Sequence, residues 1–73
     1  MSVFDKKESA YLDLLGAGMF YVQFYSRDEG RYYTIKRGNK LDCIRAAKRQ
    51  GYRVIDITAE GIRQANNGRL PQI

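Results

Sequence analysis

The feature that most constrains the fold is a strict alternation of side chains over residues 19–25, MFYVQFY. Phenylalanine and valine occupy every second position, and methionine, tyrosine and glutamine occupy the positions between them. A period of two is that of a β-strand. A second run, residues 31–37, follows four turn residues, 27–30, that end in a glycine able to take a left-handed conformation. The two runs predict a β-hairpin over residues 18–37.

The apolar pattern also predicts the register of this hairpin, because apolar side chains then lie opposite one another on one face. The predicted pairs are Tyr25 with Tyr32, Phe24 with Tyr33, Val22 with Ile35, and Tyr21 with Lys36. A slip by one residue would place Val22 opposite Lys36, and a slip moves a strand's whole apolar set to the wrong face. We therefore expect the first register along the full hairpin.

Two helices are predicted on either side of the hairpin. Residues 5–8, DKKE, form a capping box, and the apolar residues that follow predict a short N-terminal helix over residues 5–15. Asn39 is a suitable N-cap for a second helix over residues 40–50, which Gly51 would end. We expect this second helix to bury Leu41, Ile44 and Ala47, with Cys43 at the edge of the contact.

The C-terminal part predicts a third strand over residues 52–58, with Ile55 and Ile57 facing the helix. A short helix can follow Thr58, and residues 66–73 are expected to form a loose tail. The whole chain, residues 1–73, is short enough to form a single domain.

These elements predict an α+β fold with a three-stranded antiparallel sheet. A right-handed crossover would return the third strand to the free edge of the hairpin's first strand, which gives the strand order 2-1-3. The long helix would cover one face and form the core. The expected core residues are Phe20, Val22, Phe24, Tyr33, Ile35, Ile55 and Ile57.

The opposite face of this sheet is unusually rich in tyrosine, and three interpretations of it remain open. A terminal helix could cover it, with the tyrosine hydroxyls reaching water. It could instead stack the bases of a nucleic acid, with nearby arginines and lysines at the phosphates. Third, it could be a protein interface, for which homodimerisation is one form. The expected face carries Met19, Tyr21, Gln23, Tyr25, Tyr32, Thr34, Lys36, Tyr52, Val54 and Asp56.

Composition excludes several chemistries and narrows the partner. With one cysteine and no histidine, the chain can form neither an internal disulfide nor a Cys/His zinc site. The net charge is +5, and residues 27–53 carry nine lysines and arginines against three carboxylates. Such a field favours a polyanion or an acidic protein surface. We expect no enzyme activity, no cofactor, no membrane span and a cytoplasmic location.

The function predicted from these patterns is non-catalytic binding of a negatively charged partner, with nucleic acid favoured. The alternative is a small phage- or plasmid-type protein that binds and inhibits or modulates another protein. The loop at residues 36–40 could also hold a phosphate or carboxylate at the helix start, or it could be a simple capped helix. The predicted contact residues are Tyr21, Tyr25, Arg27, Arg31, Tyr32, Lys36, Arg37, Lys40, Arg45, Lys48, Arg49 and Arg53.

Overall fold

The computed structural model describes residues 8–65 and 67–73. It contains four strands and two helices in the order β-β-β-α-β-α. The elements are β1 (Ser9–Gly16), β2 (Met19–Ser26), β3 (Arg31–Gly38), α1 (Lys40–Arg49), β4 (Arg53–Asp56) and α2 (Ala59–Arg63). Neither helix within the described part of the chain is long and apolar enough to cross a bilayer.

The strands form one mixed sheet in the order β3-β2-β1-β4. The first three strands make an antiparallel meander, and β4 pairs in parallel with β1. Helix α1 packs on one face and carries the chain from β3 across to β4. The predicted α+β class is confirmed. The predicted three-stranded antiparallel sheet in the order 2-1-3 is wrong, because β1 lies between the hairpin and the last strand.

The predicted N-terminal helix over residues 5–15 is also wrong in its described part, since residues 9–16 form β1; residues 5–7 lie outside the described residues. The backbone of β1 is hydrogen-bonded to β2 on one side and to β4 on the other. Ala10 and Leu12 are fully buried by this arrangement. Gly16, Ala17 and Gly18 all have positive φ angles and form the tight turn into β2.

The hairpin register is confirmed at its turn end and wrong beyond it. Tyr25 pairs with Tyr32 and Phe24 pairs with Tyr33, as predicted. A β-bulge then shifts the register, so that Val22 lies opposite Lys36 and Tyr21 opposite Arg37. The extra residue of the bulge is Ile35, which packs against the core. A regular ladder would also place Ile35 on this side, so the effect of the bulge falls on the two residues that follow: Lys36 now lies on the α1 side and Arg37 on the opposite face.

Helix α1 begins at the predicted residue, Lys40, and ends at Arg49, one residue before the predicted end. The Asn39 side chain accepts a hydrogen bond from the Asp42 backbone N–H at 2.8 Å, and Gly51 follows the helix with φ +90°. The expected burial of Ala47 is confirmed and Ile44 packs against the core, but the expected positions of Leu41 and Cys43 are wrong. Cys43 is fully buried, whereas the Leu41 side chain is 53% exposed. The fully buried apolar residues of the described chain are Ala10, Leu12, Val22, Cys43, Ala47 and Val54.

The side chains of β4 lie on the opposite sides of the sheet from those predicted. Its parallel pairing places Val54 beside Ala10 and Asp56 beside Leu12, so these residues face α1. Ile55 pairs with Tyr11 on the other face, and neither Ile55 nor Ile57 packs against the core, so the expectation that they face the helix is wrong. Tyr52 also lies on the helix side, since its ring stacks on Phe24 with centroids 5.2 Å apart.

The last described residues pair with β4 rather than forming a loose tail. The Ile73 N–H donates to the Val54 carbonyl at 2.8 Å, and the Asp56 N–H donates to the Pro71 carbonyl at 3.0 Å. Gln72 lies opposite Ile55 in an antiparallel bridge. Residues 71–73 therefore protect the outer edge of the sheet at β4.

Candidate binding surface

The face of the sheet opposite α1 carries four tyrosines, and we call this surface the tyrosine face. Its central residues are Tyr11, Tyr21, Gln23, Tyr25, Tyr32 and Arg37. They come from three adjacent strands, because side chains of hydrogen-bonded neighbours in a sheet point to the same side.

Strand pairing arranges the tyrosine face in rows about 6.7 Å apart along the strands. The first row contains Tyr25 and Tyr32, whose rings meet edge to face with centroids 5.0 Å apart. The second row places Gln23 between Tyr11 and Thr34. The third row runs from Asp13 through Tyr21 to Arg37.

The tyrosine face is open to solvent in the described part of the chain. The Tyr25 side chain is 45% exposed and that of Tyr32 is 54% exposed, while Tyr11 and Tyr21 are half-buried. Helix α1 packs on the other side of the sheet. The buried residue of α2, Gly61, lies against Asp56, which also belongs to the α1 side. Of the three interpretations of this face, coverage by a terminal helix therefore has no counterpart among residues 8–65 and 67–73.

Tyr11 is a residue of this surface that the sequence does not predict, because a helix over residues 5–15 would not place it on the sheet. The signal that could have found it is the alternation in SAYLDL, residues 9–14, where small or apolar residues alternate with polar ones and Tyr11. In the structure, Tyr11 pairs with Gln23 on one side and Ile55 on the other. It extends the aromatic surface onto the second central strand.

Three of the predicted arginines lie around the tyrosine face. Arg37 pairs with Tyr21 on the edge strand β3, and Arg53 pairs with Ser9 on β4. Arg27 follows β2 and lines a shallow depression together with Tyr11 and Tyr25. All three arginines are exposed. Positive charge is therefore present at three separate points on the perimeter of the aromatic surface.

Arg31 lies away from the tyrosine face, in contrast to the prediction. Its guanidinium Nη2 donates to the Tyr33 hydroxyl at 2.7 Å, and its Cζ lies 4.8 Å from the centroid of that ring. The same Nη2 is 3.5 Å from Glu29 Oε1, which also accepts a hydrogen bond from the Tyr33 hydroxyl. Tyr33 stacks on Phe24 on the α1 side. Arg31 is therefore paired with Glu29 and Tyr33 on the α1 side.

A second basic surface lies between α1 and β3, and we call it the basic groove. It is a shallow groove of about 340 Å³ lined by Lys36, Asp42, Arg45, Ala46 and Arg49. Lys36 comes from the bulged end of β3, and the other four residues come from the helix. Three of the predicted contact residues are thus brought together here, on the other side of β3 from the tyrosine face.

The remaining predicted cations join neither surface. Lys40 is the first residue of α1 and is half-buried, and Lys48 is exposed on the helix but does not line the basic groove. The helix start is capped by the chain itself through Asn39. This geometry corresponds to the simple capped helix among the alternatives for residues 36–40.

The single cysteine of the chain, Cys43, is buried on α1. Burial, with a smaller contribution from Asp42, raises the pKa of the Cys43 thiol, while Lys36 acts in the opposite direction. The thiol also lies 3.6 Å from the Lys36 carbonyl, a contact in which it is the donor. Both effects disfavour the reactive thiolate. No group of histidine, cysteine, aspartate or glutamate in the described ranges could hold a metal ion.

Comparisons with models of protein families, with curated proteins and with solved structures find no match to this chain.

Proposed function

We propose that this protein binds single-stranded nucleic acid, without catalysis, through the tyrosine face. The observation that carries the proposal is the open position of Tyr25 and Tyr32, which are 45% and 54% exposed on the side of the sheet away from α1. Large aromatic rings that no other described element covers are available to a ligand with flat faces of its own.

Nucleic-acid bases suit such a surface because each presents a flat π-face. Stacking on an aromatic side chain contributes roughly 1–3 kcal/mol per base in proteins that bind single strands. The bases of a single strand can be splayed out onto a sheet, whereas those of a duplex are stacked on one another. The tyrosine face therefore favours a single strand over a duplex.

The polar residues of the surface fit the same ligand. Arg27, Arg37 and Arg53 at its perimeter can contact phosphates, and the net charge of +5 attracts a polyanion from a distance. The Gln23 amide lies among the tyrosines and carries both a donor and an acceptor. It can form hydrogen bonds with the edge of a base stacked beside it.

The proposal is tested with a fluorescent oligothymidylate titrated at several salt concentrations. We expect log K to fall with log salt by roughly 0.7 for each phosphate contacted. Replacing Tyr25 or Tyr32 with alanine should weaken binding by about 1–3 kcal/mol per lost stacked base. The matched controls are Tyr25→Phe and Tyr32→Phe, which keep the ring and should keep most of the affinity.

Binding that hardly changes between low and moderate salt would contradict the proposal. So would alanine variants that bind as tightly as the phenylalanine variants, since stacking would then contribute nothing.

A second candidate function, binding and blocking another protein, is favoured by the exposed apolar end of the β1–β2 hairpin. Leu14, Leu15 and Met19 are 46–54% exposed there, and the Gly16–Gly18 turn separates the two strands. Nuclease treatment distinguishes the two functions. A protein partner would remain bound after nuclease treatment and would be lost on replacing Leu15 with aspartate.

A further inference from the structure

We propose that a single strand longer than the tyrosine face continues around the edge strand β3 and enters the basic groove. The groove would then bind the phosphates of nucleotides whose bases lie beyond the tyrosines. This inference rests on the proposed function and extends it by a second contact surface, on the opposite side of the sheet.

The two surfaces meet at consecutive residues of β3. Arg37 pairs with Tyr21 at the border of the tyrosine face, and Lys36 lines the basic groove. Since β3 is the outermost strand of the sheet, a strand that leaves the tyrosine face at Arg37 has to cross only this edge. Two adjacent cations thus connect one surface to the other.

The basic groove has the charge that a phosphate backbone requires. Lys36, Arg45 and Arg49 outnumber the single carboxylate, Asp42, and all three cations are exposed. Within residues 8–65 and 67–73, none of these three cations is in an ion pair with a carboxylate. Their charges can therefore act on a ligand without first breaking a contact within the protein.

The opposite edge of the sheet offers no equivalent route. Residues 71–73 hydrogen-bond to β4 and occupy its outer side. The basic groove lies on the β3 side of α1, and Lys48 on the same helix does not line it. Both the free edge and the three cations of the basic groove therefore lie on the β3 side of the molecule.

The width of the sheet determines how long an oligonucleotide must be before the basic groove contributes to its binding. From Arg53 on β4 to Arg37 on β3 the surface crosses four strands, which takes three steps of about 4.8 Å, or roughly 14 Å. At about 3.4 Å per nucleotide this corresponds to some four nucleotides, and a more extended strand would need fewer. An oligothymidylate of about four nucleotides should thus occupy the tyrosine face alone, and one of about twelve should also reach the groove. Both lengths lie within the ~4–16 nucleotides that one small single-strand-binding domain contacts.

The test compares Arg49→Glu with Lys48→Glu, two neighbouring exposed positions on α1 of which only Arg49 lines the groove. For the longer oligothymidylate, Arg49→Glu should lower the salt slope by at least ~0.7 relative to the wild-type protein, which corresponds to one lost phosphate contact. For the shorter one, the two variants should have the same affinity and slope. Circular dichroism of both variants checks that the fold is retained.

Equal effects of the two variants on the longer oligothymidylate would overturn the inference, as would equal affinity and salt slope of the wild-type protein for the two lengths. Either result would leave the proposed function standing, since the tyrosine face would still bind. If the wild-type protein binds neither length, the proposed function itself fails.

Discussion

At the scale of single residues, Gly61 fixes the position of α2. It is buried, and a Cβ atom at this position would overlap the Asp56 carbonyl oxygen and lie 2.7 Å from the Asp56 Cγ. Asp56 itself is 5% exposed, and its Oδ1 accepts hydrogen bonds from the Thr58 N–H at 2.9 Å and the Thr58 hydroxyl at 2.6 Å. The absence of a side chain at Gly61 allows the helix to approach this network closely.

We therefore expect Gly61→Ala to destabilise the protein. Alanine favours a helix over glycine by about 1 kcal/mol, but forcing a methyl group into a filled space costs roughly 1–3 kcal/mol, and here the obstacle includes backbone. Urea denaturation should show a net loss of stability. Ile62→Ala is the control, because Ile62 is 59% exposed and should change stability by less than about 0.5 kcal/mol. A Gly61→Ala variant as stable as the wild-type protein would show that α2 shifts freely.

At the scale of elements, local signals predicted β2, β3 and α1, and tertiary pairing decided β1 and the bulge. Alternation determined the hairpin, and the Asn39 side chain determined where α1 begins. Residues 5–15 combine a capping box with the alternation of residues 9–14, and the pairing of β1 with two neighbours decides in favour of a strand. The apolar pattern does not indicate the bulge, since a regular ladder would also place Ile35 on the α1 side.

The tyrosine face could be predicted from the sequence only where it depends on the hairpin, and not where it depends on β1 or on the bulge. Tyr21, Tyr25 and Tyr32 were assigned to the correct face because they belong to the hairpin. Tyr11 was missed together with β1. Lys36 was assigned to the tyrosine face because the unbulged register placed it beside Tyr21, whereas in the structure it lines the basic groove.

The short strand β4 needs support on its outer side, and residues 71–73 provide it. Ile73 packs against the core as well as donating a hydrogen bond to Val54. Because its side chain is half-buried, we expect Ile73→Ala to cost about 1–2 kcal/mol of unfolding free energy, less than the ~2–5 kcal/mol for a fully buried isoleucine. Gln72→Ala removes an exposed side chain from the same segment and should be nearly neutral. Similar midpoints in urea for the two variants would show that this segment does not stabilise β4.

At the scale of the whole molecule, the sheet separates a packed side from an open one. The fully buried apolar residues all contribute to the α1 side, and the tyrosine face remains accessible. A core of this size gives a chain of 73 residues only marginal stability. Groups that resist ionisation in the folded state should therefore have a visible effect on its pH dependence.

Alkaline pH should destabilise the fold. Burial raises the pKa of Cys43 above its ordinary value of 9.0, and burial together with Glu8 raises the pKa of Tyr52 above 10.0. As pH rises through these ordinary values, the unfolded chain loses protons that the folded chain still holds, so the unfolding free energy falls. The unfolding free energy should be nearly constant at neutral pH and should decrease as the pH approaches and passes 9.0.

Urea denaturation of the wild-type protein and of Cys43→Ala across this range measures the contribution of the thiol. The variant should be less stable at neutral pH, because it leaves a small cavity, but should lose less stability as pH rises. Parallel curves for the two proteins would contradict the assignment to Cys43.

The parallel pairing of β1 with β4 has a consequence for how the chain folds. Strands β1, β2 and β3 are joined by tight turns and can form their ladders from contacts close in sequence. Ser9 and Arg53, by contrast, meet only after β2, β3 and α1 have been placed between them. The entropy of closing this loop is lost before the pairing can stabilise the sheet, and such non-local contacts slow folding. The meander and α1 should therefore assemble first, and docking of β4 should set the rate at which the native sheet is completed.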